Sequence, residues 1–223
     1  MIKADRISKT IGTTEILRNI SYSIEKGDYI AVMGPSGSGK STFLYSISGM
    51  DGISAGKILF DDKDMTQMSE KELTLLRLTE MGFVFQNAQL LKNLSILDNI
   101  MLPGLVAGLE KPDVVRERAL QYMKRMGIDQ LADRDIREVS GGQLQRASIC
   151  RAMINCPKVL FMDEPTGALN SEATEEVLKI IQELNADGMT IVLVTHDAHV
   201  AESAAKIVLI QDGVIDSVKI NRT

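Results

Sequence analysis

Three glycines, a lysine and a hydroxyl stand in the order Gly34-Pro35-Ser36-Gly37-Ser38-Gly39-Lys40-Ser41, with Thr42 next. This is the spacing of a P-loop. Its glycines let the backbone curl so that successive N–H groups converge on phosphate oxygens, and the positive end of the following helix is aimed at the same anion. Lys40 then reaches the β- and γ-phosphates and the Ser41 hydroxyl ligates Mg²⁺. The chemistry on offer is the binding of a nucleoside triphosphate. A second constellation closes the run Val159-Leu160-Phe161-Met162-Asp163-Glu164. Its apolar stretch reads as a buried parallel strand delivering two carboxylates at its C-terminal end. Asp163 suits a Mg²⁺ held through a water, because this cation takes oxygen ligands and keeps part of its hydration shell. Glu164 is left free to polarise an attacking water.

A third piece is Ser140-Gly141-Gly142-Gln143. The serine is fit to cap a helix, the glycines permit close backbone approach, and Leu144, Ala147, Cys150 and Ile154 fall on one face of the helix that follows. The elements that must position these groups are legible around them. Tyr29 to Met33 reads as a strand feeding the P-loop, with Thr42 to Ile47 as the helix after it. Ile2 to Ser8 and Ile16 to Ile24 make the start of the chain β-rich. Met81 to Phe85 and Thr190 to Thr195 read as buried strands. Between Gln86 and Pro157 the pattern turns helical: Ser95 is an expected N-cap, Pro103-Gly104 an expected break, and Pro112 opens a helix to Met126. Asp212-Gly213, between Ile207 to Ile210 and Val214 to Val218, signals a hairpin.

In these residues the chain resembles the ATP-binding cassette (ABC) ATPases from end to end. Five elements stand in that family's order: Walker A at Gly34 to Thr42, a Q-loop glutamine at Gln86, the signature at Ser140 to Gln143, Walker B with Asp163 and Glu164, and a switch histidine at His196. The resemblance implies an α/β fold, a RecA-like P-loop NTPase core with an antiparallel β subdomain and an α-helical signature subdomain. All of 1–223 is then one ABC ATPase domain, with 1–86 and 158–223 as ATP-binding core and β subdomain and 87–157 as helical subdomain. It further implies ATP and Mg²⁺ as cofactors and Glu164, His196 and Gln86 as the catalytic set. Ser41, Gln86 and Asp163 fall on the cation. The same resemblance implies that two cassettes pair head to tail, so that Ser140, Gly141, Gly142 and Gln143 of one copy are expected to close over the ATP on the P-loop of the other.

Two positions depart from the family pattern. The aromatic that stacks on adenine in many cassettes falls at Ile11, which offers apolar contact only. The loop after Walker B reads Gly167-Ala168-Leu169-Asn170 and ends in an amide where an aspartate is usual.

Composition bounds the rest. A chain of 223 residues with 44% hydrophobic content suits one domain with a subdomain, too short for a second cassette. No stretch approaches the roughly twenty uninterrupted apolar residues of a membrane span. Met1 to Arg6 lacks the look of a signal peptide, so a cytosolic chain is expected. Cys150 and Cys156 have neither metal-ligand nor disulfide spacing and are expected as packing residues, as are Met123 and Met126. The net charge of −5, with no basic cluster, argues against a nucleic-acid partner. Gly82 to Gln86, Leu90-Leu91, Asn93 to Leu102 and Pro165 to Leu169 look like the branch containing the MacB, LolD and FtsE ATPases. Asn170 and Leu91 to Leu94 resemble the Bce-type antimicrobial-peptide resistance ATPases. The expected reading is therefore a homodimeric ATPase on the cytoplasmic face of a membrane, driving a separately encoded FtsX/MacB-like permease. Export of, or resistance to, peptide antibiotics is one expectation, and lipoprotein- or macrolide-type mechanotransmission another. An FtsE-like regulatory cassette signalling to extracellular enzymes is the alternative. Leu90, Leu91, Leu94 and Leu97 are expected at the surface, as part of the groove that receives the permease.

Overall fold

The computed structural model describes residues 1–221. Two sheets carry the molecule. In the first, β1 (Ile2–Ile11), β2 (Thr14–Ile24), β4 (Ala55–Phe60) and the short β5 (Lys63–Asp64) are antiparallel, in the order β2-β1-β4-β5. β1 continues three residues past Ser8 because it pairs with β2 to the turn at residues 12–13, with Ile11 opposite Thr14. The second sheet has the order β10-β9-β3-β8-β7-β6, built from β3 (Tyr29–Met33), β6 (Met81–Phe85), β7 (Val159–Asp163), β8 (Thr190–Val194), β9 (Lys206–Gln211) and β10 (Val214–Ile220). It is parallel except at β10, which turns back on β9 through Asp212 and Gly213 at φ 49° and 79°. Two successive positive φ values are what a two-residue hairpin turn of this hand demands.

Side-chain alternation in the parallel strands divides the interior in two. Ile30, Val32, Val159, Phe161, Val192 and Val194 point toward the antiparallel sheet and pack with Ile7, Leu17 and Ile20 and with Phe43, Leu44 and Ile47 of α1 (Lys40–Ile47). Ala31, Leu160, Met162, Ile191 and Leu193 point the other way, into a core closed by helices. Those include α3 (Ile96–Ala107), α4 (Pro112–Arg125), α5 (Gly141–Met153), α6 (Ser171–Ala186) and α7 (Ala198–Glu202). α2 (Glu70–Glu80) buries no residue, and its start is fixed by a capping box between Ser69 and Glu72.

Five expectations are corrected here. Pro103-Gly104 does not break the chain: α3 runs through both. A proline removes one backbone donor, and packing outweighs this locally, since a Cβ on Gly104 would stand 2.7 Å from Val115 of α4. Cys156 is exposed, at φ 52°, whereas Cys150 is buried, which pushes its thiol up to about 12. Leu97 is core. Leu90 is partly buried against that core and Leu94 is half-buried, so Leu91, 46% exposed, is the free one of the four leucines.

Candidate functional site

The loop joining β3 to α1 is shaped by glycine. Gly34 sits at φ 149°, where a Cβ would lie 2.0 Å from the Ile210 carbonyl oxygen, and Gly39 at φ 103° is the left-handed residue before α1. Lys40 folds over this loop, its Nζ donating to the Gly34 and Pro35 carbonyls at 2.9 Å each. A cavity of about 400 Å³ opens above it, bordered by Ser36, Gly37, Gly39, Lys40, Ser41 and Thr42. Ile11 and Ile16 form an apolar wall of that cavity, and Glu164 also borders it. Ile11 is 56% exposed, an aliphatic contact surface without a ring.

β7 delivers the acids. Asp163 accepts from Ser41 Oγ at 3.0 Å through Oδ1 and from the Tyr45 hydroxyl at 2.6 Å through Oδ2. Burial, then the hydrogen bond and charge of Asp163, push the Tyr45 phenol up, so it remains a donor. Glu164 leaves the strand at φ 49°. Its N–H donates to Val194 O at 2.9 Å, His196 Nδ1 lies 2.7 Å from its Oε1, and Thr195 Oγ1 donates to Oε2 at 3.4 Å. β7 and β8 are neighbours in register, with Asp163 opposite Val194, which places Thr195 and His196 beside Glu164.

Gln86 follows β6 and packs on Gly167, where a Cβ would stand 2.9 Å from its Nε2. With Ser41, Tyr45, Asp163 and Glu164 it borders a second cavity, of about 280 Å³. The two cavities share Ser41 and Glu164. On both sides of Gln86 the chain is tied down by three side chains. Gln145 donates to Phe85 O at 3.0 Å, and Arg151 donates to Gln89 O at 2.6 Å and Ala88 O at 2.8 Å. The buried Asn99 brackets Leu91, accepting from its N–H at 2.6 Å and donating to its carbonyl at 3.0 Å.

Ser140 and Gln143 form a capping box, Gln143 N–H donating to Ser140 Oγ at 3.3 Å and Ser140 N–H to Gln143 Oε1 at 2.9 Å. None of Ser140, Gly141, Gly142 and Gln143 borders the P-loop cavity. One chain therefore brings together the P-loop, Gln86, Asp163, Glu164 and His196, while Gly141 of the signature shares with Gln86 a cavity that no P-loop residue borders. Asn170 caps α6 through a bond from Ala173 N–H at 2.9 Å. Sequence reasoning missed Tyr45, Asn99, Gln145 and Arg151. A signal existed for Tyr45, four residues after Ser41 on a helix and so on the same face, and for Asn99, a lone amide within an apolar run.

A glycine-shaped loop beside an Asp-Glu pair at the end of a parallel strand defines a P-loop nucleotide hydrolase. Comparison with known proteins narrows the class. The ABC transporter family model matches residues 17–167. The macrolide export ATP-binding/permease protein MacB of Syntrophobacter fumaroxidans is 44% identical over 222 residues, covering 97% of this chain and 31% of that protein. The MacB of Campylobacter jejuni is 43% identical over 218 residues, 96% of this chain and 33% of the relative. The chain thus spans about a third of the length of these relatives. Among solved structures, the dimeric bacterial ABC transporter cassette MJ0796 superposes with a TM-score of 0.91 at 35% identity, covering all of both chains. A post-hydrolysis dimer of MJ0796 bound to ADP and Pi gives 0.90 at 34%, again over all of both chains. The chain belongs to the ABC transporter family. It is an ABC-type ATPase cassette whose kinship lies with MacB, consistent with the MacB, LolD and FtsE branch. Among the described residues no helix is long and apolar enough to cross a membrane.

Proposed function

We propose that this cassette binds ATP with Mg²⁺, closes as a head-to-tail pair of copies, and couples hydrolysis to movement of a membrane permease. The observation that carries this reading is the junction at Ser41 and Glu164, where the cavity over the phosphate loop meets the cavity bordered by Asp163 and Gln86. Backbone N–H groups from Ser36 to Thr42 hold the phosphates, Lys40 turns from the loop carbonyls to the β- and γ-phosphates, and Ile11 lies against the base. Ser41, Asp163 and Gln86 fit Mg²⁺, since hydroxyl, carboxylate and amide oxygens around one cavity suit a small hard cation. Among the described residues no cluster of three or more His, Cys, Asp or Glu is placed to hold a metal, so the set is completed by phosphate and water. The cation, when bound, neutralises charge developing on the phosphates.

Glu164 orients the attacking water and accepts its proton, with Thr195 and His196 fixing the carboxylate. His196, with its side chain 72% exposed, turns from Glu164 toward the γ-phosphate once nucleotide is bound, and Gln86, which borders the same cavity as Glu164, helps to orient the water. The separation of Ser140, Gly141, Gly142 and Gln143 from the P-loop of their own chain supports their closing over the ATP of a second copy. The MacB relatives, named ATP-binding/permease proteins for macrolide export, support an FtsX/MacB-like permease partner and a peripheral place on the cytoplasmic face of the membrane. Export of, or resistance to, peptide or macrolide-type antibiotics by a permease that transmits force is the task this kinship favours.

The decisive experiment is Glu164→Gln in the presence of ATP and Mg²⁺. Hydrolysis falls by about 10²–10⁴-fold, the usual share of a general base, and the protein accumulates as an ATP-bound dimer in size exclusion. Lys40→Ala loses nucleotide binding instead. Hydrolysis at the parent rate in Glu164→Gln refutes the assignment, and an ATP-loaded monomer refutes the composite site.

A further inference from the structure

The reading above leaves Tyr45 without a task, yet its hydroxyl stands in the cavity that holds Ser41 and Asp163. One helical turn separates Ser41 from Tyr45, so α1 aims both hydroxyls at the same target. They reach the two oxygens of one carboxylate: Ser41 donates to Oδ1 at 3.0 Å, Tyr45 to Oδ2 at 2.6 Å. Ser41 alone leaves the carboxylate free to rotate about its Cβ–Cγ bond. With a second donor on the opposite oxygen that torsion is fixed, and Oδ1 is kept on the side of Ser41. The phenol is a good strut for this purpose. Its ring packs on the core between the two sheets, and it has only two side-chain torsions to immobilise.

We propose that Tyr45 is a positioning residue for the catalytic cation, holding Asp163 in the rotamer in which its Oδ1 and the Ser41 oxygen face the same point. The inference rests on the assignment of Mg²⁺ to Ser41 and Asp163 made above. A hydroxyl on the outer oxygen of a cation-binding carboxylate orients the ligand and is itself a charge-assisted bond, of the stronger class of hydrogen bonds. Tyr45 touches neither nucleotide nor reacting water in this role, so its effect is on cation affinity.

The test compares the parent protein, Tyr45→Phe, Tyr45→His and Asp163→Asn, using a fluorescent ATP analogue titrated first in EDTA and then with increasing Mg²⁺. Binding of Mn²⁺ to the nucleotide-loaded protein is followed in parallel by electron paramagnetic resonance. Tyr45→Phe should leave nucleotide affinity in EDTA and the thermal midpoint near the parent values while raising the Mg²⁺ and Mn²⁺ concentrations needed for half-saturation by about tenfold, the scale of one charge-assisted bond partly replaced by water. Tyr45→His, which returns a ring N–H toward the carboxylate, should recover part of that loss. If divalent affinity in Tyr45→Phe is unchanged or tighter, the proposal is overturned. A variant that fails to fold, or that loses nucleotide affinity equally in EDTA and Mg²⁺, shows a structural role and overturns it too. Asp163→Asn separates the two levels: a divalent dependence that survives this substitution refutes the cation assignment itself, whereas its loss, with Tyr45→Phe silent, refutes the role of Tyr45 alone.

Discussion

Replacing Asn99 with alanine removes the side chain that shapes the segment after Gln86. Asn99 is fully buried on α3. Its Oδ1 accepts from Leu91 N–H at 2.6 Å, and its Nδ2 donates to Leu91 O at 3.0 Å and Ser95 O at 2.9 Å, with a longer approach to Leu94 O at 3.3 Å. A neutral hydrogen bond contributes about 1 kcal/mol net, so the three shorter ones are worth about 3 kcal/mol. Leu91 is 46% exposed, and water reaching its freed backbone groups brings the expected loss down to about 2 kcal/mol. For a chain of this size each kcal/mol moves the melting temperature by about 2–4 °C, so the midpoint should fall by about 4–8 °C. Urea and thermal unfolding read the global loss, and hydrogen exchange reads where it arises. Amides of 88–95 should exchange faster, and hydrolysis should drop with nucleotide affinity kept, because other elements build the P-loop cavity. Asn99→Asp should be worse than alanine, keeping the acceptor but losing both donors and setting a negative charge among carbonyl oxygens. A loss below about 0.5 kcal/mol, within the usual range of surface substitutions, together with unchanged exchange over 88–95, would refute the reasoning.

Two further outcomes are expected. Leu91→Asp, which charges the free leucine of the segment after Gln86, should leave folding and basal hydrolysis intact and abolish co-purification with the permease; retained co-purification moves the docking site elsewhere. His199 is raised from its usual 6.5 by its bond to Glu175 at 2.5 Å and by that carboxylate's charge, with Asp197 and Glu202 adding to it. A raised histidine stabilises the fold fully below pH 6.5 and loses that contribution as pH climbs through the folded value. The gap in urea midpoint between the parent and His199→Asn should therefore be present near pH 6 and close toward pH 8.5, and a gap that widens with pH would count against the pairing.

The parts of this molecule written in local chemistry were readable in advance. The P-loop needs glycine where Gly34 and Gly39 take positive φ, and the Asp212-Gly213 turn needs two such residues in succession, so each leaves a mark in the residues themselves. Ser95 and Ser140 cap the helices expected of them because a cap is satisfied within three residues. Ser69 and Glu72 carry the same capping signal at the start of α2, whose leucines are at most half-buried: Leu73 and Leu76 pack on the core and Leu75 is exposed. What escaped is set by contacts distant in sequence. Pro103 reads as a helix end by its own preference, yet the fit of Gly104 against Val115 holds α3 continuous. Arg151 looks like an ordinary charge on a helix, and only the fold brings it to the Ala88 and Gln89 carbonyls, 63 and 62 residues away.

Asp163 and Glu164 show how the fold departs from its own pattern at the point of chemistry. Successive residues of a strand face opposite sides of a sheet. Phe161 packs toward α1 and Met162 toward the helical core, so Asp163 falls to the α1 side, where Ser41 and Tyr45 meet it. Simple continuation would send Glu164 to the helical side, away from the phosphate loop. The backbone instead enters the left-handed region at φ 49°, and the Glu164 carboxylate borders the same two cavities as Ser41. That conformation costs a non-glycine residue about 1–3 kcal/mol. The bonds from Glu164 N–H to Val194 O at 2.9 Å and from Gly167 N–H to Glu164 O at 3.1 Å hold it there. A glycine would adopt the turn more cheaply but would bring no carboxylate, so the strain at Glu164 is tied to the acid it carries rather than to the turn.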